Sequence, residues 1–373
     1  MNANLKQYLL IDLALIVLVG IIMVYSSSYI YSKEVIGSST HFLFKQLTFL
    51  AFGGFIAFLL SKTKFSFWYD KAYKLNIAAN ALLLLTLTPL GLTIKGSNRW
   101  LNFGGFNIQP GEFVKYTILL SAVHYFTNFK KYTKNDKMLY SLHMLVPLGL
   151  LIIQPDFGTF SIAAILIAFV CFLSDFSRKY FFSAVLLGSV SLFGILVAAP
   201  YRVKRLLTFL DPWADPQNSG FQIIQSYLAF ANGHIFGQGI GNSNEKLFYL
   251  PEAYNDFIFS VLGEEVGLIG VLAVIALFAV FIFLGFKLAL TNKGKVNTIF
   301  VASVVFTIGF QAFLNMAVVL GLLPTKGLNL PFISYGGSSL MANLIAIGLL
   351  FSALQRKSQI PNSDQIRKTY TMK

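Results

Sequence analysis

The chain has 373 residues, of which 56% are hydrophobic and only 12% charged, with a formal net charge of +14. That apolar content excludes an ordinary soluble domain and indicates a polytopic helical membrane protein. The basic residues punctuate the gaps between apolar runs instead of forming one patch, so nucleic acid is not the expected partner.

Ten apolar runs follow one another: 9–29, 42–60, 75–92, 113–129, 142–153, 157–173, 181–199, 257–286, 298–322 and 334–354. The first is too long for a signal-peptide core and has no small-residue cleavage site, so it is expected as the first span. Residues 142–173 are too long for a single crossing at 1.5 Å per residue, and Gln154-Pro155-Asp156 breaks them into two helices joined by a tight turn. Lys62, Lys64, Lys71 and Lys74, then Lys130, Lys131, Lys134 and Lys137, then Arg178 and Lys179, then Lys287, Lys293 and Lys295 mark the cytoplasmic gaps. Both termini fall on that side, and the long segment 200–255 falls outside. The expected fold is therefore an all-α polytopic membrane protein. It has about ten transmembrane helices, with one large extracytoplasmic loop (200–255) between the seventh and eighth. A single membrane domain covers 1–355, and a short polar cytoplasmic tail follows at 356–373. The lone cysteine, Cys171, lies inside an apolar run and supports no disulfide framework. Gly233, Gly237, Gly239 and Gly241 lack the Lys-Ser/Thr and strand–helix context of a phosphate loop and read as turns over a bundle.

Charges at the outer ends of the runs carry the chemistry. Arg99, beside Trp100, reads either as a snorkelling side chain in an aromatic belt or as a guanidinium fork for phosphate. Glu112 and Lys115 stand at i and i+3 on the fourth span, where burial favours an ion pair facing the bundle interior or a wet cavity. Asp156 either caps the sixth span or faces the same cavity. In the long segment, Arg202, Lys204 and Arg205 offer positive charge to an anionic head group, or form a solvated run. Asp256 follows Leu250-Pro251-Glu252 at the expected start of the eighth helix, near Asn255-Asp256. It reads as a helix cap or as a carboxylate on a substrate path. Ser260 and Glu264 lie four and eight residues on, near the same helix face, and a Gly263-xxx-Gly267 pair suits close helix packing. These residues leave three classes open: an enzyme acting on a lipid-linked substrate, a transporter, or a scaffold.

Several motifs narrow the choice. Gly96-Ser-Asn-Arg-Trp-Leu101, Gln109-Pro-Gly-Glu-Phe-Val-Lys115 and Gln154-Pro-Asp-Phe-Gly-Thr159 resemble successive motifs of the shape, elongation, division and sporulation (SEDS) family. So do Phe209-Leu-Asp-Pro-Trp-Ala-Asp-Pro216, Gly241-Asn-Ser243, the stretch from Lys246 to Phe259, and Gly263-Glu-Glu265. Gly321-Leu-Leu-Pro-Thr-Lys-Gly327 with Leu330-Pro-Phe-Ile-Ser-Tyr-Gly-Gly-Ser-Ser339 is similar to the division branch (FtsW-like) rather than the elongation branch (RodA-like). The resemblance implies a peptidoglycan glycosyltransferase polymerising lipid II at the outer face of the bacterial cytoplasmic membrane, beside a class B penicillin-binding protein and other division proteins. It implies that Asp256 is the general base, acting on an undecaprenyl-pyrophosphate-linked glycan in an inverting reaction. Arg99, Lys115, Arg202 and Arg205 are then candidates for the pyrophosphate, and Glu112, Asp156 and Glu264 support the cavity. Two positions depart from the family pattern: Tyr254-Asn255 stands where His-Thr is usual, and Gly233-His234 where Gly-Gly is usual. No His/Cys metal cage is visible, and a divalent cation (Mg2+ or Mn2+) held by carboxylates and phosphates stays open. A lipid II flippase and a non-catalytic division scaffold remain alternatives.

Overall fold

The structure is a computed structural model that describes residues 2–94, 97–104, 106–197, 207–218, 220–247, 250–325 and 327–355. Arg202, Lys204, Arg205 and the tail from 356 lie outside the described residues.

Each of the ten apolar runs overlaps a helix among the described residues. The helices are α1 (Asn2–Tyr31), α2 (His41–Lys62), a short α3 (Phe65–Asp70), α4 (Ala72–Leu85), α5 (Pro110–Asn128), α6 (Lys134–Ile153), α7 (Phe157–Leu173) and α8 (Arg178–Val197). Then come α9 (Phe221–Gly233), α10 (Ile258–Leu290), α11 (Lys295–Val319) and α12 (Gly337–Ala353). Among the described residues, five are long and apolar enough to cross a membrane by length and composition: α1, α2, α6, α10 and α11. α4, α7 and α12 are shorter apolar helices. Pro110 opens α5 at a position where its missing N–H costs nothing. Thr133 and Asp136 close a capping box on α6. The expected break at 154–156 is present, and Asp156 N-caps α7 through the Thr159 N–H.

The all-α expectation needs one correction. Residues 91–108 form a three-stranded antiparallel sheet of β1 (Gly91–Ile94), β2 (Ser97–Phe103) and β3 (Phe106–Ile108), in that order. Its Gly and Asn punctuation reads as loop in a sequence dominated by helices, yet the turn at Gly104 (φ 59) leads β2 back toward β3. Leu92 pairs with Trp100 and Thr93 with Asn98, so Arg99 is the extra residue of a β-bulge.

A second correction concerns the long segment, which carries a helix of its own. α9 packs against the start of α10, where Ser226 and Ser260 share a 2.7 Å hydroxyl contact and Ser226 also donates to the Val319 carbonyl.

The basic gaps gather at one end of the bundle. There Lys6 donates to the Leu354 carbonyl, Ser352 to Thr63 and Asn297 to Ala353, while Lys295 pairs with Asp175. The sheet, the α6–α7 turn and the segment before α10 meet at the other end. α11 runs through the middle: 78% of its most apolar window is buried, against 11% for α2.

Candidate active site

Residues 327–335, between α11 and α12, form an irregular strap that packs inside the bundle. Backbone of this kind survives among membrane helices only where protein groups satisfy it. Here Leu330 N–H donates to Ser334 Oγ (2.8 Å), and Asn329 Nδ2 donates to the Tyr335 carbonyl (3.0 Å).

Asp256 approaches the strap from one side. Three consecutive carbonyls fix its backbone: Tyr254 O accepts from Tyr335 N–H (2.9 Å), Asn255 O from Ser334 Oγ (2.7 Å) and Asp256 O from Asn315 Nδ2 (2.8 Å). A Cβ on Gly327 would stand 3.1 Å from Asp256 Oδ2, so the carboxylate lies close to the strap at that glycine. Asp256 is not the N-cap residue of the helix. α10 begins at Ile258, two residues later than expected, and its N-cap, Phe257, makes no side-chain cap.

From the other side comes the turn before α7. Its Gly158 packs so close to the strap that a Cβ there would meet the Leu328 side chain at 2.8 Å. Asp156, buried, accepts from Thr159 N–H (3.2 Å), Thr159 Oγ1 (3.0 Å) and Gln109 Nε2 (3.3 Å). The bulge aims Arg99 at this turn. Its Nε donates to Gln154 O at 3.3 Å and its Nη2 to Pro155 O, and its Nη1 stands 3.9 Å from Asp156 Oδ1. With 27% of its side chain exposed, Arg99 remains open to an outside anion.

Lys115 is placed differently. Its side chain is 2% exposed, and its ammonium donates to Glu112 Oε2 and Gln311 Oε1, both at 2.7 Å. The expected ion pair forms, inside the bundle. Gln311 Nε2 then donates to the Asn329 carbonyl (3.0 Å), which ties the pair to the strap.

Glu264 does not join Asp256. Fully buried, it accepts from Ser243 Oγ, Asn244 N–H (3.1 Å) and Glu245 N–H (3.3 Å), and so anchors the loop after α9. Next to it, Glu265 forms a buried pair with Lys246 (2.7 Å) and accepts from Ser26 Oγ (2.6 Å). Tyr254 packs its ring on Phe42 (4.7 Å between centroids), Tyr31 and Tyr335, and Asn255 Nδ2 donates to Glu252. His234 lies exposed, at a left-handed φ of 46. Among the described residues, no group of three or more His, Cys, Asp or Glu side chains is placed to hold a metal ion.

Sequence reasoning passed over Gln311, Asn315, Ser334 and Ser338, of which Ser338 accepts from the Gln109 N–H at 2.9 Å. The signal was available: Gln311 and Asn315 are amides four residues apart in an apolar run, where polar groups face the bundle interior. The Lys246–Glu265 pair was out of reach because only the fold brings a loop lysine to that helix.

The fold and the site together define a multi-pass helical membrane protein with an acid–base cluster built around an inward strap at one end. A family model described as a cell cycle protein, covering FtsW, RodA and SpoVE, matches residues 6–359. The chain belongs to this family. It is 36% identical to the probable peptidoglycan glycosyltransferase FtsW of Geobacter metallireducens, over 96% of this chain and 98% of that one. It is 37% identical to the protein of the same name from Marinobacter nauticus, over 92% and 87%. Its fold matches a chain of a peptidoglycan synthase complex solved to show structural coordination of polymerization and crosslinking. The TM-score there is 0.75 at 31% identity, covering 94% of this chain and 98% of that one. The rod shape determining protein RodA of Thermus thermophilus gives 0.69 at 25% identity, covering 94% and 97%.

Proposed function

We propose that the chain is a peptidoglycan glycosyltransferase that polymerises lipid II, working at the outer face of the bacterial cytoplasmic membrane with both termini cytoplasmic and about ten crossings. The names of its relatives support the activity. One observation carries the assignment of the base. Asp256 sits on a backbone held by three consecutive carbonyl hydrogen bonds, with its carboxylate close to Gly327 and outside the N-cap position of α10. A carboxylate so held takes the proton of an acceptor sugar hydroxyl as that oxygen attacks the anomeric carbon of the donor. The bond to the undecaprenyl pyrophosphate breaks on the opposite face, so the anomeric centre inverts. Arg99 receives the pyrophosphate: its guanidinium fork suits phosphate oxygens, and part of it is exposed. Arg202 and Arg205 are further candidates from the sequence. Lys115, Glu112 and Asp156 act as supports, because their charged atoms are already engaged inside the bundle. Glu264 serves the loop. A divalent cation (Mg2+ or Mn2+) held by carboxylates and the substrate phosphates stays open. A structural neighbour works in a peptidoglycan synthase complex, which supports a class B penicillin-binding protein as this chain's partner.

Asp256→Asn tests the assignment. The variant keeps the size of the side chain and all three carbonyl bonds. Polymer formation from lipid II by the purified complex is expected to fall by roughly 10²–10⁴-fold with partner binding intact. Near-normal polymer would move the base elsewhere. Polymer lost together with partner binding would support the scaffold reading.

A further inference from the structure

α11 carries two buried amides one turn apart, and each touches both the strap and a charged arm of the site. Asn315 Nδ2 donates to the carbonyls of Asp256 (2.8 Å) and Leu328 (2.5 Å). Gln311 Nε2 donates to the next strap carbonyl, Asn329 (3.0 Å), while its Oε1 accepts from Lys115 Nζ (2.7 Å). Adjacent strap residues are thus hung from adjacent turns of the most buried long helix in the bundle. The i, i+4 spacing sets both amides on one face. We propose that Asn315 is a positioning residue for the polymerisation reaction, holding the Asp256 backbone in register with the strap, and that Gln311 anchors the same strap to the Lys115–Glu112 pair. This rests on Asp256 being the base.

An amide suits the task. Each carbonyl of the strap and of the Asp256 segment needs a donor, and the arm from Lys115 needs an acceptor. Asn and Gln supply donor and acceptor on one short planar group, whereas a hydroxyl cannot bridge two carbonyls. A charged side chain would carry a desolvation cost that a neutral amide avoids. Both amide protons of Asn315 are used, one on each segment, so the side chain fixes the distance between them. Asn315 bonds only to backbone carbonyls of the strap and the Asp256 segment, so its effect should lie on the chemical step and not on binding. Misplacement of a catalytic group by about 1 Å commonly costs on the order of 10²-fold in rate.

The experiment uses the full chain with its synthase partner, steady-state polymerisation of lipid II, and a thermal midpoint measured in the same detergent. Asn315→Leu and Gln311→Met keep approximate shape and remove the hydrogen bonds. Thr307→Val, one turn deeper on α11, removes a bond made only within the helix. The expected result is a kcat about 10–100-fold lower for Asn315→Leu at nearly unchanged KM, with a smaller fall for Gln311→Met and none for Thr307→Val. Combined with Asp256→Asn, Asn315→Leu should add little, because it acts through the same group. Should Asn315→Leu lose its thermal transition, Asn315→Ser, which reaches only one carbonyl, carries the same comparison. Activity within twofold of the parent in a folded Asn315 variant overturns the proposal. So does an equal loss in Thr307→Val, or a change confined to KM. If Asp256→Asn is itself fully active, the assignment of the base has failed and this inference falls with it. If Asp256→Asn is inactive while Asn315→Leu is normal, only the positioning role is lost.

Discussion

Glu245 shows how one carboxyl group can tie the loop over the site to pH. It is buried beside Glu264, and its Oε2 has no hydrogen-bond partner. Burial first, and the charge of Glu264 second, push its carboxyl from the usual 4.5 up to about 7. Glu264 is better served, with three donors from residues 243–245, and Lys246 is turned away onto Glu265. The folded chain therefore keeps a proton on Glu245 that the unfolded chain releases near 4.5. The associated stability is fully present below pH 4.5 and is lost as pH rises through about 7. Glu245→Gln imitates the protonated side chain. It should match the parent's thermal midpoint near pH 5 and exceed it at pH 8. Parallel midpoints across that range would show that Glu245 does not titrate with folding.

The element with the least expected geometry is α10. Gly263 and Gly267 read in the sequence as a helix-packing pair, and only the first behaves that way, with Phe230 pressed on the place where its Cβ would be. Gly267 instead breaks the helix, with φ 70 and ψ −168. The break frees the carbonyls of Glu264 and Glu265 and the N–H groups of Leu268 and Ile269, which an unbroken helix would pair with each other. The loop after α9 supplies all four partners. Gln238 and Gly239 donate to the two carbonyls (2.9 Å each), and Leu268 and Ile269 donate to His234 O (3.0 Å) and Ile235 O (3.3 Å). A Cβ on Gly267 would meet Gly237 N at 2.3 Å, and its φ already disfavours any other residue. Gly267→Ala should cost about 3 kcal/mol or more, read as a lower midpoint or lost folded yield. Gly54→Ala, where nothing lies within 4 Å, should be neutral or slightly stabilising. A Gly267→Ala protein as stable as the parent would mean that the splice can relax. The contrast explains what could be read beforehand. Apolar runs locate α10 and α11 because burial among lipid and helices acts on every residue of the run. The charged candidates Arg99, Asp156 and Asp256 stood out for the same reason, as costly groups at the ends of such runs. The break at Gly267, the bulge at Arg99 and the carbonyl clamps on 254–256 depend on backbone partners distant in sequence, and no local pattern encodes those.

At the scale of the whole molecule, charge and connectivity point the same way. The Lys-rich gaps deduced from the sequence meet at one end of the bundle, where Lys295 reaches Asp175 between two different helix turns. Lys6 and the Leu354 carbonyl join the two ends of the described chain there as well. Arg99, Asp156 and the strap with Asp256 occupy the opposite end. Positive charge is retained on the cytoplasmic side of short membrane loops, and the proposed orientation accordingly has that end inside and the site outside. A labelling experiment checks the orientation directly. The natural thiol, Cys171, is buried and is first replaced by alanine so that it contributes no background. Single cysteines are then introduced at Gln217, exposed in the long segment, and at Lys293, exposed in the α10–α11 turn. In intact cells, an impermeant thiol reagent should modify the first and spare the second, and permeabilisation should expose both. Labelling of Lys293→Cys before permeabilisation, or protection of Gln217→Cys, would reverse the orientation. It would place the Asp256 site on the side of the membrane where the glycan strand is not assembled.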